Sequence, residues 1–434
     1  MQMNVKSAGI IAAVTIAAVA GGIYLIKSKH TPMATQEVAG QPSSSGSLPP
    51  GHPPVNRDGQ GKLSAPADGM MAQPASQPNS QREQLSGSTP ENPSARFTHF
   101  RIGDGNAKSI YIDGDTVWVG TSGGAIRYST KTDQFRIFDQ RDGLLSRGIF
   151  YIGKIDGRIT VGTYGGGMSI YNPATDKWEN YNIPNGLADA FVYKVLQASN
   201  GDVWIATWSG ANRIRGGDLK DRSKWDVYTV ENTKGGLPND WVYSLHEGKD
   251  GDIWVATEGG PARFRNGKWQ NWNHKTGVGA DYEKIKNDPQ FGTDPAKFSS
   301  HHAQQKKEMG LQGINVAYNP NYIVSMTVDK NGEVWCGTWG AGLAHYDGKK
   351  WHNYTMSDGL PGNHIFMLHQ DPNGSLWVGT NNGVAIMEND KLDKKTIKVL
   401  TTNDGLFSNT VFSMATAPDG SKWFGSFGGV THLR

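Results

Sequence analysis

Residues 332–343 read GEVWCGTWGAGL, and near-copies stand elsewhere: TVWVGTSGGAI from Thr116, DVWIATWSGAN from Asp202, DIWVATEGGPA from Asp252 and SLWVGTNNGVA from Ser375. The pattern Trp-x-Gly/Ala-Thr falls at Trp118, Trp204, Trp254, Trp335 and Trp377, and two weaker copies place Thr160 and Trp423 in the same column. The intervals between successive positions are 42, 44, 50, 81, 42 and 46 residues. A period in the forties built from short apolar runs is the mark of propeller blades, each a small sheet that must bury its faces against neighbours.

Each unit parses into four strands. In WVYSLHE, IWVAT, PARFR and WQNWN the breaks are GKDGD, EGG and NGK, and Asp-Gly or Asn-Gly precedes every Trp strand. Those dipeptides suit the positive φ of tight hairpins. The outermost strand carries apolar pairs three apart: Phe135/Phe138, Trp178/Tyr181, Trp225/Tyr228, Trp269/Trp272, Trp351/Tyr354 and Ile397/Leu400. The remaining pair, Phe97/Phe100, lies at the other end of the domain, while the chain ends at GGVTHLR after a third strand. The sequence therefore predicts an all-β, seven-bladed β-propeller in which the N-terminal strand closes the last blade, removing the open edge.

In this frame the Trp column is core between blades. Cys336 stands in a column otherwise filled by Val119, Val161, Ile205, Val255, Val378 and Phe424, so it reads as a buried small hydrophobe. The Gly-x-Ser-x-Gly of GTSGG at Gly120 sits in register with the other turns, and the repeat accounts for it.

Trp-x-Gly-Thr-x-x-Gly-Leu, followed by Asp-Gly-Leu loops as in SDGLPGNHIF and NDGLFSNTVF, resembles the two-component-regulator propeller repeat over residues 97–434. The resemblance implies a seven-bladed propeller of the kind found in periplasmic sensor domains of hybrid histidine kinases and, more distantly, in streptogramin lyases. The kinase and response-regulator segments of the sensor proteins are not seen in residues 1–434.

The flanks differ in composition. Residues 8–26, AGIIAAVTIAAVAGGIYLI, are uncharged, and 19 residues at a 1.5 Å rise nearly cross a hydrocarbon core of about 30 Å. Residues 1–30 are read as a short cytoplasmic stub and one transmembrane helix, a single-pass anchor in a bacterial inner membrane with the propeller in the periplasm. The alternative is secretion after cleavage at the small residues Ala18-Val19-Ala20. Residues 31–95, rich in Pro, Ser, Gly and Gln, are read as a disordered linker spanning about 45 Å. The propeller is assigned to 96–434 with an insertion at about 275–318. Within it Asp294, Pro295 and Gly310 frame a helix predicted at 295–309.

Lys and Arg number 43 against 40 Asp and Glu, a net charge of +3, so nothing favours nucleic acid as partner. The single cysteine excludes a disulfide framework and a Cys-cluster metal site. No metal, cofactor or catalytic residue is assigned.

Topology directs attention to one face. The second-to-third-strand turns and the blade-to-blade connections emerge together there, and this is the upper face. The turns carry Tyr164, Trp208, Glu258, Trp339 and Phe427, and the connections carry Arg147, Asp240, Asn321, Asn363 and Asn409. Aromatic faces with amides and charges suit a saccharide, a peptide or another polar ligand. The plainer reading is that the aromatics pack and the amides cap turns. In the insertion His301 and His302 are candidate contacts. The function expected is a membrane-tethered, non-enzymatic binding or assembly module for a protein partner or polar ligand. The alternatives are a ligand-sensing accessory to a separate two-component kinase and a metal-assisted lyase on the upper face.

Overall fold

The computed structural model describes residues 56–57, 63–64, 96–289, 294–297, 299–388 and 396–434. The expected anchor at 8–26 and most of the expected linker at 31–95 lie outside them. Among the described residues no helix is long and apolar enough to cross a membrane.

Five four-stranded antiparallel sheets follow one another along the chain. Their inner strands are Ile149–Ile155, Val192–Gln197, Val242–Glu247, Asn319–Val328 and Ile365–Gln370. In each, the next three strands pair outward in chain order, as Val203–Thr207, Gly210–Ile214 and Trp225–Tyr228 do from Val192–Gln197. Six further strands form one sheet: Val411–Thr416, Lys422–Leu433, Phe97–Asp113, Thr116–Thr121, Gly124–Ser129 and Gln134–Phe138.

This corrects the sequence reading of seven separate blades: five stand as discrete four-stranded blades. The reason is backbone continuity. Phe97–Asp113 runs unbroken for 17 residues, pairing first with the chain's end, from Leu433 opposite Phe97 to Gly429 opposite Arg101. Its second half pairs with Thr116–Thr121, from Asp113 opposite Thr116 to Ala107 opposite Thr121. Phe427 pairs with Asn106, so hydrogen bonding carries across the place where a blade boundary was expected. Each inner strand lies against the next, and Val411–Thr416 lies against Phe97–Asp113.

The repeated motif explains this packing. Trp118, Trp204, Trp254, Trp335, Trp377 and Trp423 are all buried. Trp204 lies 5.2 Å from Phe264, Trp118 5.5 Å from Tyr171, Trp254 6.0 Å from Tyr346 and Trp377 5.8 Å from Phe424, in each case on the following sheet. Arginines cover the exposed side: the Arg213 guanidinium is 5.7 Å from the Trp204 ring and pairs with Asp202 at 2.7 Å, and Arg263 lies 5.5 Å over Trp254. A buried aromatic of this size contributes at most roughly 4–6 kcal/mol of transfer free energy.

The threonine of the motif has its own task. Its hydroxyl donates to the carbonyl of the glycine that ends the following turn: Thr207 to Gly210 at 2.7 Å, Thr257 to Gly260 at 2.7 Å, Thr338 to Gly342 at 2.6 Å and Thr380 to Gly383 at 2.9 Å. The hairpin before the Trp strand turns at a left-handed glycine, as at Gly201 (φ 87°) and Gly332 (φ 86°), a conformation that a side chain disfavours. Cys336 is fully buried among Trp254, Met326 and Val334, and burial pushes its thiol far above the usual range.

Residues 294–297 and 299–317 belong to a separate compact unit. The helix predicted at 295–309 is divided there: Pro295–Lys297 forms a short turn of 3-10 helix, and Ser300–Glu308 is the α-helix. Ser299, with extended φ and ψ, takes the N-cap and accepts from the His302 N–H, while Asp294 caps only the first turn through Ala296 N–H. Lys306 is buried and reaches Asp294 at 2.5 Å and the Ile314 and Val316 carbonyls at 2.5 and 3.0 Å, which holds the unit's two ends together. His301 is half-buried and bonded to Gln305, and His302 is buried.

Deleting residues 97–101 from the full chain removes the pairing with 429–433 and uncovers two strand edges. The expected result is a melting temperature lower by about 10 °C or more. A change within a degree or two shows that this pairing contributes little.

Candidate functional site

The upper-face turns are built from rings that pack on one another. Trp208 is sandwiched between Phe191 at 4.5 Å and Trp241 at 4.8 Å, both nearly parallel to it, and is only 1% exposed. Trp339 stacks on Tyr322 at 5.6 Å, meets His364 edge-on at 5.1 Å and is buried. Phe191, Trp241 and His364 each stand just before the apolar residue that opens the pairing of an inner strand, and Tyr322 precedes Ile323, which pairs with Thr338. Connection and turn therefore interlock ring by ring. Tyr164 meets Phe191 edge-on at 4.6 Å, Phe427 meets Phe412 at 4.7 Å, and both are half-buried. Glu258, in the turn position of Trp208, is buried and accepts from the Tyr243 hydroxyl at 2.6 Å.

The polar residues of the connections staple the loops. Asp240 accepts from the Val230 N–H at 2.7 Å, Asn321 from His274 at 2.6 Å, Asn363 from Met356 at 3.0 Å and Asn409 from Thr402 at 2.8 Å. The backbone carbonyls of Asp240, Asn363 and Asn409 accept from Gly210, Gly342 and Gly383 at 2.7, 2.9 and 2.6 Å. One residue thus ties the outer-strand loop and the second-to-third turn of its own sheet together. Burial pushes the Asp240 carboxyl up, partly offset by the Val230 N–H. Arg147 is exposed. Of the residues read from sequence, Trp208, Glu258, Trp339 and Asn363 form the rigid floor of the upper face, and Arg147, Tyr164, Asp240, Asn321, Asn409 and Phe427 retain exposed surface.

A second set of groups escaped the sequence reading. Every inner strand has a register shift at the same place, skipping Lys108, Phe150, Tyr193, Tyr243, Val324, Phe366 and Phe412. A bulge re-aims one side chain without breaking the strand. Here the re-aimed side chains meet those of neighbouring inner strands. Lys108 lies 4.4 Å from the Phe150 ring, Phe150 stacks on Tyr193 at 4.4 Å, Tyr193 meets Tyr243 at 4.8 Å and Phe366 meets Phe412 at 5.5 Å. The signal was present: IFY, VYK, VYS, IFM and VFS put an aromatic after the first aliphatic residue of five inner strands.

Titratable groups cluster along the same strands. Burial pushes the Lys108 amine down to about 8 and lowers Lys194, the residue after the Tyr193 bulge. Both remain partly accessible to water. Burial lowers His369 to about 4, with Asp371 acting upward and Lys422 and Lys194 downward. His246 is lowered by burial and by Lys194, against the Glu247 carbonyl and charge. Burial, then the Glu258 charge, holds the Tyr243 phenol well above its ordinary range.

One further cluster has metal-ligand chemistry: Asp329, Glu333 and His345 offer atoms within 4.8 Å of one another. The repeat already uses them. Glu333 and His345, 2.8 Å apart, stand where Asp202 and Arg213 pair on their sheet, and Asp329 accepts from the Trp335 indole at 2.9 Å and from two backbone N–H groups.

The fold and this repeated architecture define an all-β propeller. Residues 236–259, 317–340 and 359–382 match the family model described as two component regulator propeller. No curated protein matches it. Among solved structures, the extracellular domain described for the hybrid two component system BT3049 from B. thetaiotaomicron is 20% identical with a TM-score of 0.60, over 78% of this chain and 41% of that one. That of BT4673 from the same organism is 20% identical with a TM-score of 0.55, over 78% and 40%. Virginiamycin B lyase from Staphylococcus aureus, solved as a catalytically inactive form with quinupristin, is 13% identical with a TM-score of 0.52, over 78% and 98%. At such identities the likeness shows the fold alone. The chain spans about two fifths of the length of the two extracellular domains.

Replacing Trp208 by Ala empties a three-ring stack. The expected cost is about 3–5 kcal/mol of stability in denaturant unfolding. A loss below about 1 kcal/mol means that the indole is dispensable to packing and belongs to a binding surface.

Proposed function

We propose that the chain is a non-enzymatic binding module, a propeller that presents its upper-face connections to a protein partner or polar ligand. In this reading residues 8–26 hold it at a bacterial inner membrane and the propeller faces the periplasm. The observation that supports it best is the stapling of each connection by Asp240, Asn321, Asn363 and Asn409. A loop fixed before it meets its ligand loses little conformational freedom on binding. Arg147, Tyr164 and Phe427 keep exposed surface on that face.

Reaction chemistry has less support there. Glu258 is buried against the Tyr243 hydroxyl, Ser122 lies in a tight turn where its oxygen accepts from Asn106 N–H, and Cys336 is sealed in the core. A sensing role beside a separate kinase uses the same surface; the likeness to the extracellular domain described for the hybrid two component system BT3049 favours it as a second reading.

The reading is tested by placing a photo-crosslinking residue at Arg147 or at Lys249 in the full chain in its native membranes. Lys249 lies in a first-to-second-strand hairpin, at the opposite end of the strands. Adducts are expected from position 147 and not from 249. Adducts confined to position 249 reverse the assignment of the face.

A further inference from the structure

The inner strands carry two lysines, Lys108 and Lys194, that no described carboxylate neutralises. Among the described residues no carboxylate pairs with Lys108 or Lys194, and each amine instead rests near an aromatic face, Lys108 at 4.4 Å from Phe150 and Lys194 at 5.1 Å from Tyr151. The Lys194 charge is felt by His246 and by His369, which stand on two other inner strands. His369 Nε2 lies 3.0 Å from the Thr416 hydroxyl, and His246 Nε2 lies 3.5 Å from that of Thr327. The nearby carboxylates are engaged elsewhere: Asp371 accepts from the Trp377 indole, Glu247 from Ser199 and Glu258 from Tyr243.

An enclosed ammonium without a counter-ion is costly, because the protein replaces water without supplying an opposite charge. Aromatic faces recover part of that cost. A fold gains nothing from such lysines by packing alone, and uncharged residues would fill the same volume. A positively charged, protein-walled space does concentrate small anions.

We propose that the axial space of the propeller is an oxyanion-binding site, in which Lys194 receives a small carboxylate- or phosphate-bearing ligand, with His246, His369, Thr327 and Thr416 around it and Lys108 at the bulge girdle nearer the upper face. The site does not depend on the upper-face reading. A charge-assisted hydrogen bond from an ammonium to an oxyanion is the strong type of polar contact. Neutral histidines and threonine hydroxyls add donors that can turn toward it.

The test is calorimetric titration of the full chain with inorganic phosphate and, separately, with citrate at low ionic strength. Lys194→Met, Lys194→Arg and Lys131→Met are titrated alongside, Lys131 being an exposed lysine paired with Asp115. Saturable binding of at least one probe, one per chain, is expected. It should weaken more than about tenfold in Lys194→Met, recover to within about threefold in Lys194→Arg and stay unchanged in Lys131→Met. Phosphate preference assigns a phosphoryl group and citrate preference a carboxylate. In the unaltered chain the His369 ring resonances should shift with the same saturation curve, a readout that does not rely on a variant folding. No saturable binding of either probe, or equal binding by a folded Lys194→Met chain, overturns the proposal. Neither result bears on partner capture at Arg147.

Discussion

Burial of an indole between successive sheets is the interaction on which the rest of this structure depends. A four-stranded sheet of this length cannot bury both its faces alone. Trp204 against Phe264 and Trp254 against Tyr346 join each sheet to the next. Once that contact repeats, the inner strands are brought side by side and their bulges face a common axis. The threonine three residues after the indole then fixes the turn that feeds the upper face. Shape, not chemistry, accounts for the Trp, the Thr and the Gly of the motif, and the same holds for the buried Cys336.

In both proposals functional capacity is carried by residues that break the repeat. Lys108 and Lys194 occupy positions where other inner strands place an aromatic or a serine, and the fold bears the cost of enclosing their charge. His246 and His369 differ in the same way from Ala415 and Thr327 on equivalent rungs. The upper face departs from the repeat more mildly, with Arg147 exposed where Asp240 or Asn363 caps a loop elsewhere.

The periodicity of the Trp column made the strand order legible in the sequence, because a buried indole at fixed spacing allows few other architectures. Blade separation was not legible. Whether Phe97–Asp113 breaks or runs through depends on backbone pairing at Asn106, and composition does not encode that. The connection amides cap backbone groups, since Asn and Asp before a strand favour local backbone bonding. The turn position of Trp208 leaves packing and ligand contact both open, and Phe191 and Trp241 close over it from adjacent connections. The axial cations went unseen because a bulge shifts a side chain without altering the alternation around it.

The repeat builds a frame whose inner strands hold two amines without a described counter-ion. The most direct measurement is the titration of Lys108 and Lys194 in the intact chain, by NMR of their 13C-methylated amines assigned through Lys108→Met and Lys194→Met. The expected midpoint is about 8 for Lys108, and lowered for Lys194. Midpoints near the ordinary lysine value of about 10.4 for both would show amines in contact with bulk water or a counter-ion, and would contradict it.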